Sequence, residues 1–107
     1  MTSSPKHYAQ AGLLLYVRMP GTPRRGRPSD RRLLEQLHSR GVPLSNVEAA
    51  LLLASARRIC RDPAKPPLPP VRSLAYFLPV IDELARAPLS DTYLNYIRSK
   101  VTLKPPP

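Results

Sequence analysis

The chain has 107 residues, a single cysteine, and 17 lysines and arginines against 7 acidic residues, which gives a formal net charge of +10. This length allows one small domain with tails. The lone Cys60 excludes an internal disulfide and favours the cytoplasm, and no apolar run is long enough to cross a bilayer. We therefore expect a cytoplasmic protein that has a polyanionic partner and does not engage a membrane.

Residues 1–28 are expected to form a flexible N-terminal segment ahead of the folded domain. Residues 1–12 are polar or small and are expected to be loose. The apolar stretch Leu13–Val17 predicts a short strand or an apolar anchor, which must pack on another element because a single strand is not stable alone. Residues 19–28 contain three prolines and two glycines, which is typical of a flexible connector.

A first helix is expected to follow this segment. Ser29 is a suitable N-cap, and Asp30 is favourable in the first turn because it faces the positive end of the helix dipole. The leucines at positions 33, 34 and 37 form one apolar stripe at helical spacing. Gly41 is well placed to end this helix in the left-handed conformation.

The second helix is expected to be the most buried of the set. Its start has two alternatives: a capping box of Ser45 with Glu48, or Pro43 as the first helical residue. Over residues 44–54, its own alanines and leucines occupy nearly all of its faces, so the helix has little polar surface. It ends in basic residues over 57–61, which complement the negative end of the dipole.

Two further helices are expected beyond a proline-rich bridge over residues 62–72, which predicts a stiff polyproline-II segment. Ser73 is expected to cap the third helix. Pro79 indicates either a kink or a helix that begins near Leu78 after a preceding turn. Ser90 is expected to cap the fourth helix, whose buried stripe is Tyr93, Leu94, Ile97 and Val101.

The predicted fold is therefore all-α: a small four-helix domain over residues 29–103, with an extended basic N-terminal arm and a proline-rich interhelical bridge. Residues 104–107 are expected to be a tail. About fifteen large apolar side chains would make a marginal core, so a homodimer that buries more surface is an open alternative.

Residues 23–28, with the sequence Pro-Arg-Arg-Gly-Arg-Pro, carry the most informative motif of the chain. Its core, 25–28, resembles the AT-hook, a short DNA-binding element. The resemblance implies that Arg25 and Arg27 enter the minor groove in opposite directions, while Gly26 lets the backbone lie on the groove floor. The basic residues that flank this core are Arg24, Arg31 and Arg32. The alternative is a solvated basic linker or a non-specific phosphate binder.

A second group of basic residues lies beside the proline bridge. Arg57, Arg58 and Arg61, together with Arg72, predict a ridge that contacts phosphates and sets the register on a duplex. The alternative is that these cations serve the helix end and solubility. Residues 33–54 also resemble a helix-turn-helix, although the second helix is rich in alanine and leucine where a recognition helix is polar, so an ordinary helical hairpin stays open.

Residues 41–101 are similar in order and pattern to the small helical domains of bacterial plasmid and phage replication initiators and primosome proteins. The segments that carry this resemblance are 41–44, 47–51 and 73–81. It implies a helical fold and a role near replicating DNA. Separately, residues 67–72 match Pro-x-x-Pro-x-Arg and resemble a ligand of Src-homology-3 domains, with a plain interhelical bridge as the alternative.

No pattern in the chain indicates catalysis. There is no nucleophile elbow, phosphate loop or zinc-binding signature, and His7, His38 and Cys60 lack the spacing of a metal site. We therefore expect no enzyme activity, no catalytic residues, no metal and no cofactor.

These patterns predict a small basic DNA-binding accessory protein of bacterial or mobile-element type that acts in replication or transcription and, if bacterial, is associated with the nucleoid. The expected partner is nucleic acid, DNA in preference to RNA, and assembly into a homodimer or a larger protein complex is an open alternative. The predicted DNA-binding residues are Arg24, Arg25, Gly26, Arg27, Arg31, Arg32, Arg57, Arg58 and Arg61. The alternatives are an adaptor that docks a protein through Leu13–Val17 or the proline bridge, and an RNA-binding protein.

Overall fold

Five α-helices and one 3₁₀ turn make up the computed structural model, which describes residues 4–106. No β-strand occurs in this range, so the all-α prediction is confirmed, with one helix more than the four expected. The residues predicted as loose or as tail at positions 1–3 and 107 lie outside the described range. The helices are α1 (Pro5–Val17), α2 (Pro28–Ser39), α3 (Leu44–Ile59), α4 (Leu78–Arg86) and α5 (Asp91–Lys100).

The additional helix is α1, which covers residues 5–12, expected to be loose, and the Leu13–Val17 stretch, expected as a short strand or an apolar anchor. Ser4 caps it, because its hydroxyl accepts the backbone N–H of His7 at 3.1 Å, and Pro5 supplies a preset first helical residue. The buried residues of α1 recur at helical spacing and pack mainly on α2. The two helices approach closely at Gly12, where a Cβ atom would lie 2.7 Å from Leu34 Cδ2.

The start of α2 differs from the prediction of Ser29 as N-cap, because the helix begins at Pro28 and Arg27 takes the cap position. Asp30 then stands third in the helix. Its buried carboxylate accepts the backbone N–H of Arg27 at 2.9 Å and, from a distant segment, the N–H of Leu74 at 3.0 Å. Gly41 follows α2 with a φ of 78°, the left-handed conformation that was predicted.

The central helix is α3. It begins at Leu44 with Pro43 as its N-cap and without a side-chain cap, so both alternatives for its start were wrong by one or two residues. Val47 and the unbroken run of residues 49–56 are buried, which confirms α3 as the most buried helix. This all-round burial follows from its contacts with α1, α4 and α5 on different sides.

After α3 the chain runs without helix through the proline bridge to the 3₁₀ turn Leu74–Phe77, and α4 begins directly at Leu78. The second alternative for Pro79, a helix that starts after a preceding turn, is therefore confirmed. Ser90 caps α5 as predicted, by accepting the N–H of Tyr93 at 3.2 Å. Tyr93 itself was expected in the core but is 48% exposed, whereas Ile97 is buried as predicted.

Among residues 4–106, none of the helices combines the length with the apolar character that a bilayer crossing demands. The core lies where α1, α2, α3, the 3₁₀ turn and α4 meet, and Tyr16 and Phe77 face each other there edge to face at 6.0 Å.

Candidate functional site

The nine predicted DNA-binding residues fall into two groups in the structure. The arm, which we define as residues 24–32, spans the end of the α1–α2 loop and the first turns of α2. The bridge group, Arg57, Arg58 and Arg61, lies at the end of α3 beside the proline bridge. The two groups differ in what their side chains contact, and this difference decides which of them is available to a ligand.

The loop that precedes the arm is held by its own hydrogen bonds. The Thr22 hydroxyl lies 2.8 Å from the carbonyl oxygen of Tyr16 and 2.7 Å from that of Met19. Gly21 adopts a φ of 80°, which favours glycine, and its carbonyl accepts the N–H of Val71 at 2.9 Å. The loop therefore starts from a fixed base that ties it to the end of the proline bridge.

Gly26, at the centre of the AT-hook-like motif, packs against α1. A Cβ atom at this position would overlap Leu13 Cδ2, so the absence of a side chain lets the arm lie close to the helix. One side of the Gly26 backbone is thus covered by Leu13. Insertion of residues 25–28 into a minor groove must proceed from the opposite side, or after the arm lifts from α1.

The two arginines beside Gly26 line different grooves. Arg25 lines a groove of about 460 Å³ together with Arg24 and Lys104; its remaining walls are Val17, Pro105 and Pro106. Arg27 lines a second groove, of about 450 Å³, together with Arg72. The arginines on the two sides of Gly26 thus line two different grooves: Arg24 and Arg25 line the first, and Arg27 lines the second.

Lys104 belongs to the first groove although it was expected in a tail. Its ammonium donates to the carbonyl oxygen of Thr22 at 2.6 Å, and its backbone N–H donates to the carbonyl of Arg18 at 2.7 Å. Burial, and then the positive charge of Arg24, holds the pKa of Lys104 below its usual range. No sequence pattern pointed to this residue, because the contacts join segments more than 80 residues apart.

The bridge group is engaged within the protein. Arg57 forms a two-pronged ion pair with Glu83 at 2.9 and 2.6 Å, and this pair raises the pKa of Arg57 and lowers that of Glu83. Arg58 donates to the Tyr76 hydroxyl at 3.1 Å and to the Pro69 carbonyl at 2.7 Å.

Arg58, in the last turn of α3, and Arg61, just beyond the helix, both bind carbonyls of the proline bridge. The Arg58 guanidinium also lies 5.4 Å from the centre of the Tyr76 ring, a cation–π distance. Arg61 donates to the carbonyl of Pro66. The bridge is thus tied to α3 at the Pro69 carbonyl and to the start of its own segment at the Pro66 carbonyl, so residues 67–72 do not form a detached peptide.

The arm has no such partners. Within residues 4–106 the ion pairs are Arg40–Asp82, Arg57–Glu83 and Arg98–Glu48, and none includes an arm cation. The acidic residue of the arm, Asp30, is 2% exposed, and its carboxylate accepts hydrogen bonds from backbone N–H groups. The arm therefore presents uncompensated positive charge to solvent.

The two groups nevertheless border one continuous surface. The groove that Arg27 shares with Arg72 adjoins a third groove, since residues 70–72 line both. That third groove reaches Arg58 and Tyr76, which also line a fourth groove with Arg57 and Arg61. A ligand bound at Arg27 can thus extend toward the bridge group without crossing a helix.

Three tyrosines that were considered for base stacking are exposed. Tyr76, Tyr93 and Tyr96 are 46%, 48% and 57% exposed, and the rings of the last two stack at 6.2 Å with an interplanar angle of 24°. The Leu13–Val17 stretch is different. Tyr16 and Val17 are buried, Leu13 and Leu15 are partly buried, and Leu14 is 45% exposed. It does not form an open apolar patch of the kind an adaptor would use.

Within the described residues, no three His, Cys, Asp or Glu side chains come together in a way that could hold a metal ion. Comparison of the chain with protein-family models, with curated proteins and with solved structures gives no match.

Proposed function

We propose that this protein binds DNA through the arm, by contacts of its arginines with the phosphate backbone or the minor groove. The observation that carries the proposal is the contrast in partners: the arm arginines have no ion pair among residues 4–106, whereas Arg57 at the bridge is neutralised by Glu83. Arginines that a protein leaves unpaired on a surface of net charge +10 are suited to phosphate oxygens.

Backbone contact is the more direct of the two modes. The exposed guanidinium groups of Arg24, Arg25 and Arg27 can reach phosphates while the arm stays packed on α1. The minor-groove mode, which the resemblance to the AT-hook implies, also uses Arg25 and Arg27, but the contact between Gly26 and Leu13 restricts the approach. The bridge arginines contribute to the long-range field, and direct phosphate contacts from Arg58 and Arg61 require their bonds to the proline carbonyls to open.

The test is a fluorescence-anisotropy titration of the full chain with an A/T-rich duplex, a G/C-rich duplex and a structured RNA, each at two salt concentrations. Tight binding to duplex DNA with a steep loss of affinity at higher salt is the expected result. A preference for the A/T-rich duplex supports the minor-groove mode, and equal affinity for both duplexes supports backbone contact.

Two outcomes contradict the proposal. Tighter binding to the structured RNA than to either duplex identifies an RNA-binding protein. No binding to any of the three probes at low salt leaves the adaptor, whose positive charge would complement an acidic protein surface.

A further inference from the structure

The C-terminal segment is part of the same surface as the arm. Val101 is buried, and residues 102–106 return across the α1–α2 loop. Arg18 and Lys104 fix this return from both sides: the N–H of Lys104 donates to the Arg18 carbonyl at 2.7 Å, and Arg18 Nε donates to the Lys104 carbonyl at 3.0 Å. The position of the Lys104 side chain is therefore set by the backbone around it.

The groove that results concentrates positive charge. Arg24, Arg25 and Lys104 all line it, and no acidic side chain does. Burial, and then repulsion from the positive charge of Arg24, hold the pKa of Lys104 below its usual range. An anion in the groove relieves the repulsion, so the site is electrostatically prepared for one.

The donors of the groove suit a phosphate. An ammonium has three N–H donors, of which the Lys104 group uses one on the Thr22 carbonyl, and a guanidinium presents paired donors that match two oxygens of one phosphate. The other walls, Val17, Pro105 and Pro106, are apolar and offer contact to a sugar beside the phosphate. A volume of about 460 Å³ accommodates a phosphodiester together with such a sugar.

We propose that Arg24, Arg25 and Lys104 form a discrete site for one backbone phosphate of the bound nucleic acid, which makes the C-terminal segment part of the interface. This proposal rests on the proposed function for the source of the phosphate. The chemistry of the site itself, three cationic residues that line one groove without an acidic neighbour in it, does not depend on that function and can be tested apart from it.

The first experiment compares Lys104→Gln with Lys100→Gln, which removes the same charge from the exposed end of α5. Both are titrated with a fluorescein-labelled 20-base-pair duplex over a series of salt concentrations. For Lys104→Gln we expect about tenfold weaker binding at 0.1 M salt and a salt slope about 0.9 shallower, the effect of one lost phosphate contact. For Lys100→Gln we expect less than a twofold change. Lys104→Arg, which keeps the charge, should retain most of the affinity.

Equal losses for Lys104→Gln and Lys100→Gln overturn the proposed site while leaving DNA binding by the arm intact. The urea midpoint of each variant shows whether a loss of affinity comes from misfolding. If Lys104→Arg is folded and still loses all affinity, this result also counts against the site.

The second experiment uses inorganic pyrophosphate and two-dimensional amide NMR on the wild-type chain, and needs no nucleic acid. We expect the amide signals of residues 24, 25 and 104 to shift together along one saturable curve, and this response to disappear in Lys104→Gln. Shifts spread evenly over all arginine-bearing segments, or no shift at the groove, contradict the site. If pyrophosphate binds there but no duplex binds at low salt, the proposed function fails and the anion site stands.

Discussion

The arm and the bridge group carry the same kind of side chain and use it differently. At the bridge, Arg58 and Arg61 donate to carbonyls of Pro69 and Pro66, and Arg57 pairs with Glu83. Proline-rich segments have few N–H groups and no internal hydrogen bonds, so their carbonyls need donors from elsewhere. Among residues 4–106, no carbonyl or carboxylate oxygen accepts a hydrogen bond from an arginine side chain of the arm. Arginine content alone therefore does not locate a ligand site; the acceptors nearby decide it.

Asp30 links the two regions and should produce the largest effect on stability. Its buried carboxylate accepts the N–H of Arg27 in the arm and the N–H of Leu74 just beyond the bridge. Asp30→Ala leaves both groups without this acceptor and should lower the free energy of unfolding by about 3 kcal/mol. Urea denaturation measures it, with Glu35→Ala on the same helix as the control. A loss below that of the control would show that Asp30 does not join the regions.

The arm itself is tested by Arg25→Ala combined with Arg27→Ala. Removal of two phosphate contacts should weaken duplex binding about 60-fold at 0.1 M salt and should make the salt slope about 1.8 shallower. The urea midpoint should change little, because neither side chain has an ion pair among residues 4–106. Any preference for A/T-rich DNA should vanish as well. Unchanged affinity in this double variant would show that the AT-hook-like motif does not bind DNA.

Tyr16, a buried residue of α1, is electrostatically coupled to Arg27 and Asp30 of the arm. Its hydroxyl is buried without a hydrogen-bond partner among the described residues, and burial together with the charge of Asp30 raises its pKa to about 12, against a smaller opposing effect of Arg27. Because the folded pKa lies above the unfolded value near 10, the associated stability is complete below pH 10 and is lost as the pH rises to 12.

The measurement for Tyr16 is urea unfolding of wild type and Tyr16→Phe at pH 7 and pH 12. At pH 7 the variant should be equal to wild type or up to about 1 kcal/mol more stable, since it removes an unsatisfied polar group. Toward pH 12 the wild type should lose about 2 kcal/mol more than the variant. Parallel losses in the two proteins would place the Tyr16 hydroxyl in contact with solvent.

The smallest effect is expected at the bridge. Arg58→Ala removes two hydrogen bonds and a cation–π contact at a partly exposed site, so the loss of stability should be about 1 kcal/mol. Duplex affinity should fall less than threefold. A large loss of affinity with unchanged stability would instead assign Arg58 to the phosphate ridge that the sequence predicts.

Much of the fold follows from local signals. The helical class, the left-handed Gly41, the buried α3, the cap at Ser90 and the start of α4 at Leu78, one residue before Pro79, are all consequences of spacing and of glycine, serine and proline chemistry. The sequence does not predict α1, because five consecutive apolar residues at 13–17 lack a polar face; the signal for its start is the cap residue Ser4 before Pro5.

The sequence indicated some residues of the candidate surface and left out others. The motif at 23–28 marked a surface that the structure leaves unpaired, but Lys104 joins it through backbone carbonyls 82 and 86 residues away, and such pairing leaves no local pattern. In the same way, the acceptors that occupy Arg57 and Arg58 lie in segments that fold back on α3, as at Glu83 and Tyr76. The sequence shows where the positive charges lie along the chain, but it does not show which acceptors their side chains bind.

The most direct test of the contrast between arm and bridge is an NMR titration that follows the arginine side-chain Nε–H signals as duplex DNA is added. We expect the signals of Arg24, Arg25 and Arg27 to shift progressively to saturation, while those of Arg57 and Arg58 stay near their starting positions. Shifts at Arg57 and Arg58 with a silent arm would contradict this expectation and move the DNA-binding surface to the proline bridge.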